Sequence, residues 1–383
     1  MSPTVCVSVN TLHYPQGGGH MWVFLNWVLG LRELGCAIVW MEGIVKGGWT
    51  PGPREPAERL AELKQRLAPY GLAEKVALWT NDGTAIPPDL SDQCLALDAA
   101  ADADLLLNLN YQTPAAIVKR FRRSALIDID PGLLQTWCSD PSYGFSISPH
   151  DLLFTIGETV GQPGSKFPDL DLEWHYTPPC VSLSWWHPVS VGPPAPFTTV
   201  SHWYSGDWLR DESGQLWSNE KRTAFLPFLD LPQRTSQTLE LALQLEERDE
   251  PDRLMLRQHG WQVRDAWTVA STPWDYQRYV QQSLGEFSCV KPSCVRLQNA
   301  WISDRTLCYL ASGKPAVIEH TGPSRFLPDD AGLLRFRDLP EAARCLEAVS
   351  ANYEAHCQHA RALAEEYFDA KKVVKSVLER ALA

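Results

Sequence analysis

Residues 4–41 carry the pattern that most constrains the fold. Thr4–Val9 (TVCVSV) is a short β-branched run, which predicts a buried strand. Residues 13–19 (HYPQGGG) form a turn-rich stretch. Residues 20–34 follow as an apolar helix with Gly35 placed to end it, and residues 37–41 (AIVWM) read as a second strand. Strand, glycine loop, helix and strand in that order open a parallel sheet. The helix is apolar nearly all round, with Asn26, Gly30 and Glu33 as its only wet stripe, so it belongs in an interior.

The alternation continues. Residues 58–67 predict a helix with Leu60, Leu63 and Leu67 on one face, and residues 76–79, 105–109, 125–129 and 152–156 predict further strands. Short βα units without hairpin signals indicate a doubly wound sheet. Residues 187–196 (HPVSVGPPAP) place four prolines in ten positions, a stiff extended linker. Residues 197–201 (FTTVS) then restart the pattern, with strands expected at 263–265, 287–290 and 316–318 and helices at 274–283 and 304–312. The tail, 339–383, is helical by composition and period. The expected fold class is α/β: two Rossmann-like doubly wound domains, 1–187 and 197–350, joined by a linker at 188–196. Helices at 351–383 are expected to cross back to the first domain. A chain of 383 residues exceeds the roughly 250–300 at which single cores stop growing, which agrees with two domains.

Composition narrows the partners. Lys+Arg number 34 against 46 Asp+Glu, a net charge of -12, which argues against nucleic acid or an anionic membrane as the main partner. The longest apolar stretch, 20–34, is too short and too interrupted to span a bilayer. The N-terminal residues show no signal-peptide pattern. The 10 cysteines include no CxxC pair, so free thiols in a reducing cytoplasm are expected. Sixteen tryptophans are several times common usage and predict aromatic walls in a core or a cleft. Asp102-Ala103-Asp104 matches a DxD pattern but precedes its strand and reads as a cap or turn.

Gly17, Gly18 and Gly19 sit between a strand and a helix N-terminus, where free N–H groups and partial positive charge suit an anion. A dinucleotide fingerprint fits poorly, because Trp22 stands where the third glycine belongs, although Glu42 could take the ribose-binding role. His20 falls on the first helical turn at the carboxyl end of a strand. The helix dipole favours its neutral form, the state a general base needs. Asp128 and Asp130, in ALIDIDPG, are candidates to hydrogen-bond the second ring nitrogen, with Asp128 the preferred partner and Asn110 in reserve.

In the second half, residues 286–322 read as strand, loop, helix, tight turn, strand and loop. Ser303 and Asp304 are N-cap residues for a helix over 305–312, and Lys291 with Arg305 supplies charge for a diphosphate. Lys291-Pro292-Ser293, the run Tyr309-Leu310-Ala311-Ser312-Gly313-Lys314-Pro315, His320-Thr321-Gly322 and Asp330-Ala331-Gly332-Leu333-Leu334 together resemble the donor-binding region of GT-B glycosyltransferases. Gln16-Gly17-Gly18-Gly19-His20 resembles the glycine loop and catalytic histidine of inverting members. The resemblance implies transfer of a sugar from a nucleoside-diphosphate sugar to a hydroxyl acceptor. His20 would be the base and Asp128 its partner. The donor would be held by Gly18, Gly19, Ser201, Lys291, Ser303, Asp304, Arg305, Thr306, His320, Thr321 and Gly322. No metal or further cofactor is implied, and the location implied is cytoplasmic. Retaining members carry two glutamates where this chain has Ala300 and Cys308, which favours inversion and leaves the ribose ligand unassigned. Trp185, Trp186, Trp203 and Trp208 flank the linker, either as stacking surfaces or as core. A sugar-nucleotide epimerase or hydrolase, a non-catalytic sugar-nucleotide-binding protein and an NAD-dependent oxidoreductase remain as alternatives.

Overall fold

In the computed structural model the described residues are 2–44, 55–147, 149–205, 207–210, 214–329 and 331–383; Asp330 and the side chain of Trp208 lie outside them. The first half forms a seven-stranded sheet from β1 (Thr4–Val9), β2 (Ala37–Ile44), β3 (Val76–Thr80), β4 (Leu105–Asn108), β5 (Ser124–Asp128), β6 (Leu152–Thr155) and β7 (Trp174–Tyr176). Their order is β3-β2-β1-β4-β5-β6-β7, with every pairing parallel. In the second half, β8 (Phe197–His202) is followed by a small antiparallel ribbon of β9 (Asp207–Arg210) and β10 (Leu216–Ser218). A six-stranded parallel sheet is then completed by β11 (Leu239–Gln244), β12 (Gln262–Asp265), β13 (Gly285–Ser288), β14 (Ala316–Glu319) and β15 (Leu333–Phe336), in the order β12-β11-β8-β13-β14-β15. In each sheet the chain order of the strands therefore reverses beside the first strand, between β1 and β4 and between β8 and β13. Ligands of such sheets bind at that switch point.

The buried strands are near-continuous apolar runs, as both-face burial requires. β11 is an exception in composition. Its LELALQ is built of good helix formers, and no strand was expected there from the sequence. It is a strand because it bonds to β8 on one side and β12 on the other, with Leu239, Leu241 and Leu243 alternating into a core.

Helix Gly18–Glu33 occupies the centre of the molecule and is buried on most of its circumference. It lies against its own sheet, the C-terminal helix Ala370–Ala381 and the second-half helices Pro273–Gln281 and Asp304–Ala311. One apolar core runs unbroken through all of them. Two glycines permit this. A Cβ on Gly30 would stand 2.8 Å from atoms of Ala370, and one on Gly18 would stand 2.2 Å from the carbonyl oxygen of Thr272. Gly18 N–H also donates to the Ala270 carbonyl at 3.2 Å, and the Trp22 indole donates to the Pro273 carbonyl at 2.8 Å. Elsewhere between the halves the buried Glu158 accepts from Ser324 Oγ at 2.5 Å and from Arg325 N at 2.7 Å. The two halves are thus joined at two separate places. Among the described residues no helix is long and apolar enough to cross a membrane, and all ten cysteines are free. Gly18→Ala is expected to lower stability by about 1–3 kcal/mol, the usual cost of overpacking. Chemical denaturation would show this, and an unchanged midpoint would mean that the close approach carries no weight.

Candidate functional site

A cleft of about 790 Å³ separates the halves. Its walls are the segments that follow the carboxyl ends of β1, β4, β5 and β6 on one side and of β8, β11, β12 and β13 on the other. That volume suits a small-molecule ligand.

The loop after β1 is anchored from beneath by Glu42. This carboxylate is fully buried and accepts from Thr11 N at 2.9 Å, Leu12 N at 3.1 Å and the Trp40 indole at 2.8 Å, and also from the Thr11 hydroxyl. Burial raises its pKa, against the lowering effect of those donors. With its acceptor sites filled inside the protein, Glu42 cannot take a ribose. This removes the acidic ligand that a dinucleotide reading needed.

His20 reaches the cleft from the first turn of its helix. Its Nε2 lies 3.0 Å from both the carbonyl oxygen and Oδ1 of Asn10, so Nε2 carries the proton and Nδ1 keeps the lone pair. Burial holds the pKa below the ordinary histidine value, while Asn10 and the charge of Asp130 pull it back up. The ring makes an edge contact with Phe24, at 5.2 Å, and Tyr14 lies 6.0 Å away. Tyr14 in turn approaches His202 of the second half, at 5.8 Å.

The expected pairing of His20 with Asp128 does not form. Asp128 is fully buried behind the cleft and accepts from Gln135 Nε2 at 2.8 Å, Thr155 Oγ1 at 2.9 Å and Asp130 N at 3.0 Å. Burial pushes its pKa up to about 6. It organises the turn, whereas Asp130, two residues on, lines the cleft within electrostatic reach of both His20 and Lys291. Burial raises the Asp130 carboxyl, opposed by Lys291, the Tyr111 hydroxyl and His20. The Tyr111 oxygen fixes this corner by accepting from Ile129 N at 2.7 Å and Asp130 N at 2.9 Å. Asn110 is spent on Val9 O and Gln112 N, at 3.1 and 3.0 Å.

Of the second-half residues singled out from the sequence, Ser201, Lys291, Ser303, Asp304 and Arg305 line the cleft, as do Gly18 and Gly19 from the first half. Ser303 Oγ caps the helix by accepting from Arg305 N at 3.2 Å. Asp304 is raised to about 6 by burial. The Arg305 guanidinium is committed to the sheet: it donates to Glu286 Oε1 at 2.8 Å, Val200 O at 3.1 Å and Ser288 Oγ at 2.5 Å. The Glu286 pair offsets most of the charge it was expected to offer an anion.

Four expected donor contacts do not line the cleft. Thr306 is buried in its helix. Thr321 Oγ1 donates to the Trp301 carbonyl at 2.6 Å, its own carbonyl accepts from Ala300 N at 3.0 Å, and His320 Nδ1 accepts from Gly322 N at 3.0 Å. Thr321 thus braces the strained turn in which Gln298 and Ala300 have positive φ, while His320 and Gly322 are tied to each other. Trp186 and Trp203 are fully buried core, and Trp185 packs on Tyr70 at 4.8 Å.

The missed residue of most consequence is Lys221. It begins the short helix Lys221–Phe225, lines the cleft beside Asn219 and Lys291, and donates to the Cys289 carbonyl. Burial, with help from Arg305, lowers its pKa to about 7. His202 and Gln244 were also missed, although each stands at the carboxyl end of a strand.

No protein-family model matches the chain, and no curated protein matches it by sequence. Several solved structures do match. One is an alpha-glucosyltransferase in complex with UDP, at 9% identity over 100% of both chains and a TM-score of 0.63. Another is the Anabaena HepE protein in complex with UDP and glucose, at 11% identity over 99% of each chain and a TM-score of 0.57. A glycosyltransferase from Rickettsia africae is 11% identical over 99% of this chain and 98% of its own, with a TM-score of 0.55. The fold is GT-B. In GT-B terms the two sheets are the facing Rossmann-like domains, and the cleft is the space they enclose.

Replacing Asp128 by Asn puts an amide nitrogen where only donors point. The variant is expected to lose about 1–3 kcal/mol of stability, the penalty of a buried polar group left unsatisfied. Calorimetric unfolding would measure it, and a neutral result would contradict the hydrogen-bond assignment.

Proposed function

We propose that the chain is a glycosyltransferase that moves a sugar from a nucleoside-diphosphate sugar to a hydroxyl acceptor with inversion. One observation carries the reading: His20 and Asp130 from the first half, and Lys221 and Lys291 from the second, line a single cleft. In the proposed step His20 Nδ1 takes the acceptor proton as the hydroxyl oxygen bonds to the anomeric carbon. The bond from that carbon to the diphosphate oxygen breaks, and the nucleoside diphosphate leaves with the electron pair. Lys221 and Lys291 meet its charge. Asp130 replaces Asp128 as the carboxylate that stabilises the imidazolium. The acceptor is not carried over from the structural relatives. One alpha-glucosyltransferase structure contains UDP-glucose and DNA, whereas this chain's charge of -12 disfavours a phosphate polymer.

A thermal-shift panel of UDP, dTDP, GDP and ADP sugars tests donor binding. His20→Ala is expected to keep the shift and lose about 10²–10⁴-fold in kcat, the usual share of positioned proton transfer. Unchanged transfer would remove His20 from the mechanism. Consumption of donor without any acceptor would instead indicate a hydrolase or epimerase.

The two titrations run in opposite senses. His20 must be neutral, so kcat/KM is expected to rise with pH through a value below 6.5, the ordinary histidine pKa. Lys221 is charged below about 7 and neutral above it, so binding of a nucleotide sugar, whose diphosphate keeps its charge, is expected to weaken as pH rises past that value. Lys221→Met should flatten the binding profile. A wild-type affinity that does not vary with pH would contradict the lowered Lys221 pKa, and an unchanged affinity in Lys221→Met would exclude Lys221 as a phosphate ligand.

A further inference from the structure

The first-half wall of the cleft differs in chemistry from the second. Besides His20, Tyr14, Asp130 and a few uncharged polar side chains, it carries Phe24, Trp27, Tyr111, Trp137, Tyr143 and Phe145, drawn from the central helix, the β4 loop and the segment after β5. Trp137 and Phe145 face one another at 5.3 Å with their planes tilted by 31°. Phe24, Trp27 and Trp137 are buried, whereas Tyr111, Tyr143 and Phe145 are partly exposed. Among the described residues no lysine or arginine of the first half lines the cleft; the cationic lining residues, Lys221, Lys291 and Arg305, all come from the second.

We propose that this chamber is the acceptor site, and that it takes a small, uncharged, planar aromatic compound carrying a hydroxyl group. The inference rests on the glycosyl-transfer reading and specifies its acceptor. Aromatic walls gain most from a flat π-surface, by stacked or edge contacts, and little from a heavily hydrated sugar. An acceptor bearing phosphate would meet no cation on this side. Phe24 meets the His20 ring edge-on, so His20 borders the aromatic wall, and in the proposed pose a ring held against that wall turns its hydroxyl toward Nδ1. The proton passes to that nitrogen, the phenolic oxygen bonds to the anomeric carbon, and the nucleoside diphosphate departs. The acidity matches as well: a phenol ionises near the tyrosine value of about 10, within reach of a weak neutral imidazole.

The test uses the full chain and the hydroxycoumarin umbelliferone. Calorimetric titration in the absence of donor is expected to show binding that Phe145→Ala weakens about tenfold. With the sugar nucleotide that gives the largest thermal shift, product should form, and Phe145→Ala should raise KM for umbelliferone about tenfold while leaving kcat largely unchanged, the pattern of lost uniform binding. Phe145 is half-buried, so the variant should fold, and its melting temperature verifies this; Tyr143→Ala is the second probe. If methyl glucoside or a DNA duplex is glycosylated while umbelliferone neither binds nor reacts, the inference is overturned and the transfer reading stands. If no sugar nucleotide binds, the transfer reading fails, and the Phe145-dependent titration still decides whether the chamber is an aromatic site. Umbelliferone binding unaffected by both variants would also overturn it.

Discussion

Burial of helix Gly18–Glu33 on nearly every side is the constraint from which the site follows. The helix is apolar around its circumference, so it must be covered by protein, and the second half and the C-terminal helix supply the cover. Gly18 and Gly30 let those neighbours approach to backbone distance. Once the helix is held there, its first turn projects His20 into the gap and brings the carboxyl edges of both sheets to face each other. The glycine loop that looked like an anion cradle is therefore largely a joint between the halves, with the Gly18 N–H spent on Ala270.

Chemical roles divide along the same line. The first half contributes an imidazole, the half-buried Asp130 carboxylate and aromatic walls; the second contributes lysines and the capped helix Asp304–Ala311. This polarity suits a reaction in which one partner loses a proton and the other releases an anion. Arg305 shows how finely charge is partitioned. Burial opposes its charge, Glu286 more than offsets that, and the pair locks β8, β13 and the helix together without projecting charge outward.

Much of this was legible in the sequence. The strand–loop–helix rhythm, the proline-rich connection and the strand-end placement of His20 and Lys291 follow from local pattern, and pattern sets parallel architecture. β11 was not legible, because LELALQ favours a helix locally and only its two neighbours make it a strand. Asp128 and Asp130 could not be separated, because alternation puts both on one face. The Pro131 turn and the donors Gln135 and Thr155 draw one into the core and leave the other in the cleft. His320, Thr321 and Gly322 have the composition of a ligand loop, but Thr321 is spent on the tight turn at 298–300 and the other two on each other. Lys221 lies in a segment with no strand or glycine signal, and only the fold brings it beside Lys291.

The central claim is that an imidazole of one domain faces a lysine pair of the other across a single gap. A crystal structure with the nucleoside diphosphate that most raises the melting temperature tests it directly. The account predicts the diphosphate between Lys221 and Lys291, with His20 opposite and room for a sugar between them. A diphosphate bound elsewhere, or lodged in the aromatic chamber with the lysines unengaged, would contradict it.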